Sequence, residues 1–450
     1  MTNLMDFFFN RGNTRDILVR RHAFYSLLLK VLNTAFSLLL IRITLNYLDE
    51  YEYGIWVTFS SILTWICSFD IGFGNGLQNK LGESLAKKDM LLSREYISTA
   101  FFSMSFIAVV FLILALILFS FLDWAFVLNA KETVIPHLNL YMNLFLAIFL
   151  VYFVLRLIGK VYLAHMQASV NILLFALSTM LSFFVTAILV RIREKGSFIE
   201  IGLIYVLSNL AIYLVAYLYT FYVRFPDLRP STTFFQKKQL RDLLELGWQF
   251  FLLQIGVVVL FLSSNLIISH IWGPQEVTGY NIAYKYFSML YMAAGVIAVP
   301  IWPAVTNAYT KNDYEWIRKA FRKTMLFFFG IVAVFLLMLL VSPVFYRIWL
   351  GKDMKITYCF SAVIMLYNII LTYNSFVCAF INGIGKIRLQ LYLFLSGMIL
   401  YPLLGMWSGK SVGIMGLILV LSLIIFVIDL ILTVQYFWLV SPGKKEWVKS

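Results

Sequence analysis

Three cations fall inside long apolar stretches of the chain: Lys30, Arg42 and Lys285. An ionisable side chain at bilayer depth costs about 2.5–3.5 kcal/mol on insertion scales, so each must face protein, water or the membrane surface. Lys30 shares a helical face with Asn33 and Ser37, and Lys285 shares one with Asn281 and Ser288. Each reads either as the lining of a polar cavity or as half of a structural pair. Arg42 lies one turn from the end of its stretch, where snorkelling is the simpler reading; otherwise it is a third cavity cation. Arg156 and Lys160, four apart on one helical face, read as a surface anchor or as a receptor for an anionic headgroup. Asn368, Thr372, Ser375 and Asn382 form a stripe with Tyr367 and Tyr373 nearby. Hydrogen bonding between helices and contact with a hydroxyl-rich substrate explain that stripe equally well. Deep acidic residues are scarce, with Asp429 and Asp70 the clear cases. The chemistry on offer is therefore binding, and a positive interior favours a phosphate or an acidic sugar.

Covalent chemistry finds little support. Gly405-Met406-Trp407-Ser408-Gly409-Lys410-Ser411 approaches a phosphate loop but has three residues between glycines where four are needed. Gly409 to Gly413 matches the nucleophile-elbow pattern formally, yet that elbow requires a strand, a turn and a helix in a soluble sheet. His22, His137, His165 and His270 lack ligand spacing, so neither a metal nor a cofactor is expected. Cys67, Cys359 and Cys378 read as buried small hydrophobes. The last two, on one helix, stand about 28 Å apart, beyond disulfide reach.

The elements that position these residues are helices in lipid. The 450 residues are 62% apolar and 13% charged, with a mean hydropathy of +0.86, whereas soluble domains run at about 45–50% and 25%. Helix-length apolar runs argue against a β-barrel. Runs bounded by charge give twelve spans: 23–46, 53–73, 97–121, 138–163, 170–190, 199–222, 247–271, 278–301, 324–346, 357–382, 388–407 and 412–438. Of the basic residues, 25 fall on one side of this topology and eight on the other, which puts both termini in the cytoplasm. The net charge of +14 is then mostly topology, with attraction to anionic headgroups, and no nucleic-acid partner is implied.

The halves resemble each other. Lys87 to Arg94 aligns with Lys311 to Arg318, each read as a short interfacial amphipathic helix after the second span of its half, and Gly54 aligns with Gly279. The expected organisation is a six-helix bundle over 1–223, a basic cytoplasmic linker over 224–246 and a second six-helix bundle over 247–450. This all-α polytopic membrane protein has the layout of a transporter with its site between the halves.

The run Tyr53-Gly54-Ile55-Trp56, then Phe69 to Leu81 with its Gly72-Phe73-Gly74-Asn75-Gly76 core, then Ala86-Lys87-Lys88-Asp89, resembles the first-half signature of Wzx-type polysaccharide flippases. Val299 to Ala304 is similar to that family's eighth-span ending. The family belongs to the multidrug, oligosaccharidyl-lipid and polysaccharide exporter (MOP) superfamily. The resemblance implies two six-helix bundles in a V around a central cavity. It also implies movement of an undecaprenyl-pyrophosphate-linked oligosaccharide, for O-antigen or capsule, across a bacterial inner membrane, without enzymatic chemistry. Membrane lipids, a proton or sodium coupling ion, and the polymerase and other assembly proteins are the implied partners. Lys30, Arg42, Arg156 and Lys285 are then the candidate cationic cavity, with Asn33, Asn281, Asn368, Thr372 and Ser375 as polar lining. Gly72, Gly74 and Gly76 break a helix at the membrane surface and are the candidate hinge. The alternatives are a drug or metabolite cation antiporter of the same superfamily, which calls for an acidic cavity; a lipid II flippase, whose relatives often carry extra spans; and a membrane-embedded glycan polymerase or ligase, which calls for a large external loop.

Overall fold

The computed structural model describes residues 14–441 except 69, 71, 120–122, 132–134, 136, 194–195, 245–254, 257 and 355. Arg11, Lys195, Lys355, the end of the expected linker, the start of the expected seventh span, and Lys444, Lys445 and Lys449 lie outside the described residues. The chain divides into two compact units, 1–255 with 265–277, and 256–264 with 278–450.

The first unit is built from α1 (Thr14–Tyr47), α2 (Glu50–Ser68), α3 (Phe73–Ala86), α4 (Met90–Phe119), the short α5 (Trp124–Leu128), α6 (Leu138–Leu155), α7 (Leu157–Ala164), α8 (Ala168–Ile192) and α9 (Phe198–Tyr219). α10 (Ser264–Trp272) follows, and all but its first residue belongs to this unit. The second unit holds most of α11 (Pro274–Thr310), together with α12 (Tyr314–Leu350), α13 (Tyr358–Ile384), α14 (Arg388–Val412) and α15 (Ile414–Val440). Among the described residues nine helices are long and apolar enough to cross a bilayer, or ten if α2 and α3 form one span broken by 42°. About twelve helices in two bundles are consistent with this count.

Large apolar side chains point outward along these helices: Leu326 on α12 is 72% exposed, and Val215 and Val434 behave alike. In water such a surface would aggregate; in lipid it is the solvated face. The inner faces close on aromatic layers. In the first unit Phe59, Phe145 and Phe149 are fully buried, with Phe59 and Phe145 centroids 6.0 Å apart. In the second, Tyr436 stacks on Phe321 at 4.2 Å.

Neither expected interfacial helix forms. Lys88 and Asn312 instead take left-handed backbone (φ 59° and 58°), and each closes a helix with the same pair of backbone hydrogen bonds. Lys88 N donates to Leu85 O and Asp89 N to Ser84 O; Asn312 N donates to Tyr309 O and Asp313 N to Ala308 O. Asp89 and Asp313 then cap the next helix, their carboxylates accepting from Leu92 N and Trp316 N at 3.0 Å. A capping carboxylate three residues ahead of an apolar run looks amphipathic in sequence, which is why turn and cap read as a helix. The two turns share one local geometry. The aligned glycines do not share surroundings: a Cβ on Gly54 would meet the Pro274 carbonyl, whereas at Gly279 it would meet nothing within 4 Å.

The basic segment after α9 is fastened to α4. Ser231 N donates to Ser98 Oγ (3.2 Å), Gln236 N to Thr99 Oγ1 (3.1 Å) and Gln239 Nε2 to Glu95 Oε2 (2.6 Å), and Leu228 and Leu243 are buried.

Candidate functional site

The break between α2 and α3 is where charge, glycine and backbone meet. A broken helix leaves carbonyls bare at one end and N–H groups bare at the other. Here both are met by ionisable side chains. Asp70 accepts from Gly72 N (3.0 Å) and Gly74 N (3.1 Å), capping α3. Arg156, at the step between α6 and α7, donates from a guanidinium nitrogen to Cys67 O (2.9 Å) near the end of α2. One turn on, Lys160 Nζ donates to Asn75 Oδ1 (2.8 Å).

The glycines make this packing possible. Gly72 stands at φ 78°, a conformation costly for any side chain. A Cβ on Gly74 would come within 2.5 Å of the Asp70 carboxylate and 3.0 Å of the Lys160 chain, and one on Gly76 within 2.6 Å of the Leu243 carbonyl. Gly76→Val therefore drives a branched side chain into backbone; overpacking of this kind costs about 1–3 kcal/mol. We expect a lower thermal midpoint and reduced membrane yield, and a Gly76→Val protein that melts like the parent contradicts this packing. Asp70→Ala, which removes the cap, should cost about 0.5–2 kcal/mol by the same assay, with Asp70→Asn retaining part of it.

Arg156 is solvent-accessible despite its hydrogen bond and Lys160 is half-buried. Each spends one donor on protein, while a guanidinium has five N–H donors and an ammonium three. The remaining donors suit a phosphate or carboxylate.

The other residues singled out above lie elsewhere. Lys30 and Arg42 are exposed on α1, about 18 Å apart along the axis, with no side-chain hydrogen bond or ion pair among the described residues. Asn33 carries a buried Oδ1 with no partner among the described residues. Lys285 is half-buried on α11 in the second unit, with Asn281 and Ser288 buried beside it and the Ser288 hydroxyl donating to Lys285 O (3.1 Å). Tyr280 and Tyr284 stack at 5.9 Å, and Tyr284 meets Tyr367 at 6.1 Å. Asn368 and Thr372 are fully buried on α13 and donate to backbone one turn back, at 2.9 and 2.8 Å; Ser375 donates to Thr372 O. The structure thus joins Arg156 to the glycine break, whereas Lys285 stands in the other unit.

Sequence reasoning missed Asn75 and Asn374 as partners. Asn374 Nδ2 donates to Asp429 Oδ1 (2.6 Å), and Asp429 is fully buried, with Oδ2 unpartnered among the described residues. A carboxylate in an apolar helix demands such a donor, so Asp429 itself was the signal to look for an amide.

A family model described as polysaccharide biosynthesis protein matches residues 19–309, more than half of the chain. The chain belongs to the polysaccharide biosynthesis protein family. A second model, MatE, matches residues 250–407 of this polysaccharide biosynthesis protein. A candidate O-antigen export protein of Yersinia pseudotuberculosis is 24% identical over 358 residues, covering 77% of this chain and 79% of that one. Among solved structures, an inward-facing multidrug resistance MATE family transporter of the MOP superfamily superposes with a TM-score of 0.78 at 14% identity, covering 93% of this chain and 98% of the other. An outward-facing one gives 0.68 at 14%, with coverages of 96% and 97%. A MOP superfamily transporter from Pyrococcus furiosus gives 0.67 at 13%, with the same coverages. This polysaccharide biosynthesis protein has the MATE-type fold, and the resemblance to Wzx-type members of the superfamily is borne out.

Proposed function

We propose that the protein is a flippase that moves undecaprenyl-pyrophosphate-linked oligosaccharide repeat units from the cytoplasmic to the outer leaflet of a bacterial inner membrane, by alternating access. The observation that carries this reading is the accessible cationic pair Arg156 and Lys160, pinned at a glycine-broken helix in a chain of the polysaccharide biosynthesis family. A sugar headgroup cannot cross hydrocarbon unaided. Cations with spare donors at the cytoplasmic end of the first unit would receive the pyrophosphate while the prenyl tail stays in lipid. Within the first unit Lys30 and Arg42 would add positive charge, with Asn33 as polar lining; within the second, Lys285 would add charge and Ser375 polar lining, whereas Asn281, Asn368 and Thr372 are buried in helix packing. Gly72, Gly74 and Gly76 would be the hinge. No covalent step is involved, and the polymerase and other assembly proteins would take over the product.

Coupling to a proton or sodium ion is assigned to Asp429, whose second oxygen is buried without a partner among the described residues and whose first accepts from Asn374. A drug or metabolite cation antiporter is the competing reading, favoured by the MatE match. Against it, Asp429 is the only fully buried carboxylate among the described residues.

Gene deletion followed by mass spectrometry of prenyl-pyrophosphate-linked glycans tests the reading. Completed repeat units accumulating on the cytoplasmic side, with loss of surface polysaccharide, are expected. Unchanged lipid-linked glycan with altered retention of small cations would establish the antiporter instead.

A further inference from the structure

Between α4 and α6, wholly within the first unit, runs an apolar groove of about 410 Å³. Its walls include Phe102 and Leu112 on one side and Ala147 and Val154 on the other, and Tyr217 and Pro230 close one end. The stretch from Phe101 to Leu112 gives it a length of about 16 Å along α4. Val109 and Val151 on its rims are 54% and 52% exposed, so the groove opens to the surroundings. Ala108 and Ala147 leave recesses between larger neighbours.

The closed end is positively charged. Pro230 follows Arg229, whose guanidinium lies 4.5 Å from the Tyr222 ring centre. Arg94 donates from Nε to Arg229 O (2.9 Å) and lies 4.1 Å above the Phe234 ring. Rings hold these guanidiniums in place without neutralising them. Neither has a carboxylate partner among the described residues, because Glu95 accepts from Gln239 and Asp242 from the Tyr96 hydroxyl at 3.2 Å. An apolar groove whose Pro230 end adjoins Arg229 and, through it, Arg94, neither of which lines the groove itself, matches an amphiphile with a branched hydrocarbon chain and a multiply charged anionic head.

We propose that this groove holds the head-proximal isoprene units of a polyprenyl diphosphate, with Arg94 and Arg229 meeting the diphosphate. The inference rests on the flippase reading for its choice of lipid. Two arginines suit a diphosphate better than the single charge of a phosphodiester, and the alanine recesses suit methyl branches. Leu155, which lines the groove, directly precedes Arg156 of the glycine break. The groove with Arg94 and Arg229 would be the arrival site, from which the diphosphate passes to Arg156 and Lys160 as the first isoprene units leave the groove for lipid.

The test uses the full-length protein in phosphatidylcholine vesicles with sugar-free undecaprenyl diphosphate carrying a diazirine on its first isoprene units. Photolabelling should fall on the peptides spanning 101–112 and 147–155. Val109→Trp and Val151→Trp, which fill the groove from its exposed rims, should each cut labelling by about tenfold. Arg229→Gln, which leaves the walls intact, should weaken labelling and reduce its sensitivity to salt. Unlabelled polyprenyl diphosphate should compete and phosphatidylglycerol should not. Labelling elsewhere, indifference to both Trp variants, or equal competition by phosphatidylglycerol overturns the proposal. Because the probe carries no sugar and the assay needs no transport, the groove can fail while the deletion phenotype stands, and the reverse.

Discussion

Arg156→Gln is expected to lower surface polysaccharide export by at least about tenfold, the effect of losing roughly 1.4 kcal/mol of charge-assisted contact with a phosphate. The wild-type guanidinium has two tasks. It donates to Cys67 O, which any side-chain amide of sufficient reach can do, and it presents unused donors to the exterior, which only a cation can do usefully for an anion. Glutamine keeps the first task in part, so membrane abundance and thermal midpoint should change little, by about 1 kcal/mol or less. Arg156→Lys should retain a substantial share of export. Arg156→Gln combined with Lys160→Gln should drop further than either alone, since the two groups sit one turn apart. Pulse-labelled polysaccharide at matched protein levels is the readout. Normal export by the double variant would remove the break from the transport path.

Asp429 carries the second large effect. Asp429→Leu deletes the acceptor for Asn374 and leaves a buried amide unpaired, at a cost of about 1–3 kcal/mol. Its melting midpoint should fall. Asp429→Asn preserves size and polarity and should fold like the parent while losing ion-driven transport, because an amide cannot exchange a proton or neutralise a sodium ion. Substrate flipping in proteoliposomes under an imposed proton or sodium gradient separates the two variants. A gradient response that survives Asp429→Asn would assign coupling to another group.

The helical class was legible because lipid writes itself into composition: the apolar faces of α12 and α15 read as spans from hydropathy alone. What hydropathy does not report is the partner of a polar group. Asn368 and Thr372 looked like a stripe available to a substrate, yet both are fully buried and hydrogen-bonded to their own helix, an option open to any amide or hydroxyl with a backbone carbonyl one turn back. Lys30 read as cavity lining or half of a structural pair and Arg42 most simply as a snorkelling cation; both are exposed on α1. The glycines at 72, 74 and 76 were recognisable as a break. Their reason was not, because Gly76 is required by the carbonyl of Leu243, 167 positions away in sequence. The segment after α9 read as a basic linker; its anchoring to Ser98 and Thr99 depends on long-range pairing that no local pattern encodes.

The turns at Lys88-Asp89 and Asn312-Asp313 are one joint used twice: a left-handed residue, the same two backbone hydrogen bonds and a capping carboxylate. The backbone hydrogen bonds and the capping carboxylate are common to both, while the side-chain contacts differ: Ser93 Oγ donates to Asp89 O at the first, and the Tyr314 hydroxyl to Asn312 Oδ1 at the second. Lys88→Asn, the single substitution that turns the first joint's Lys88-Asp89 into the second's Asn-Asp, should therefore leave membrane yield and thermal midpoint near those of the parent.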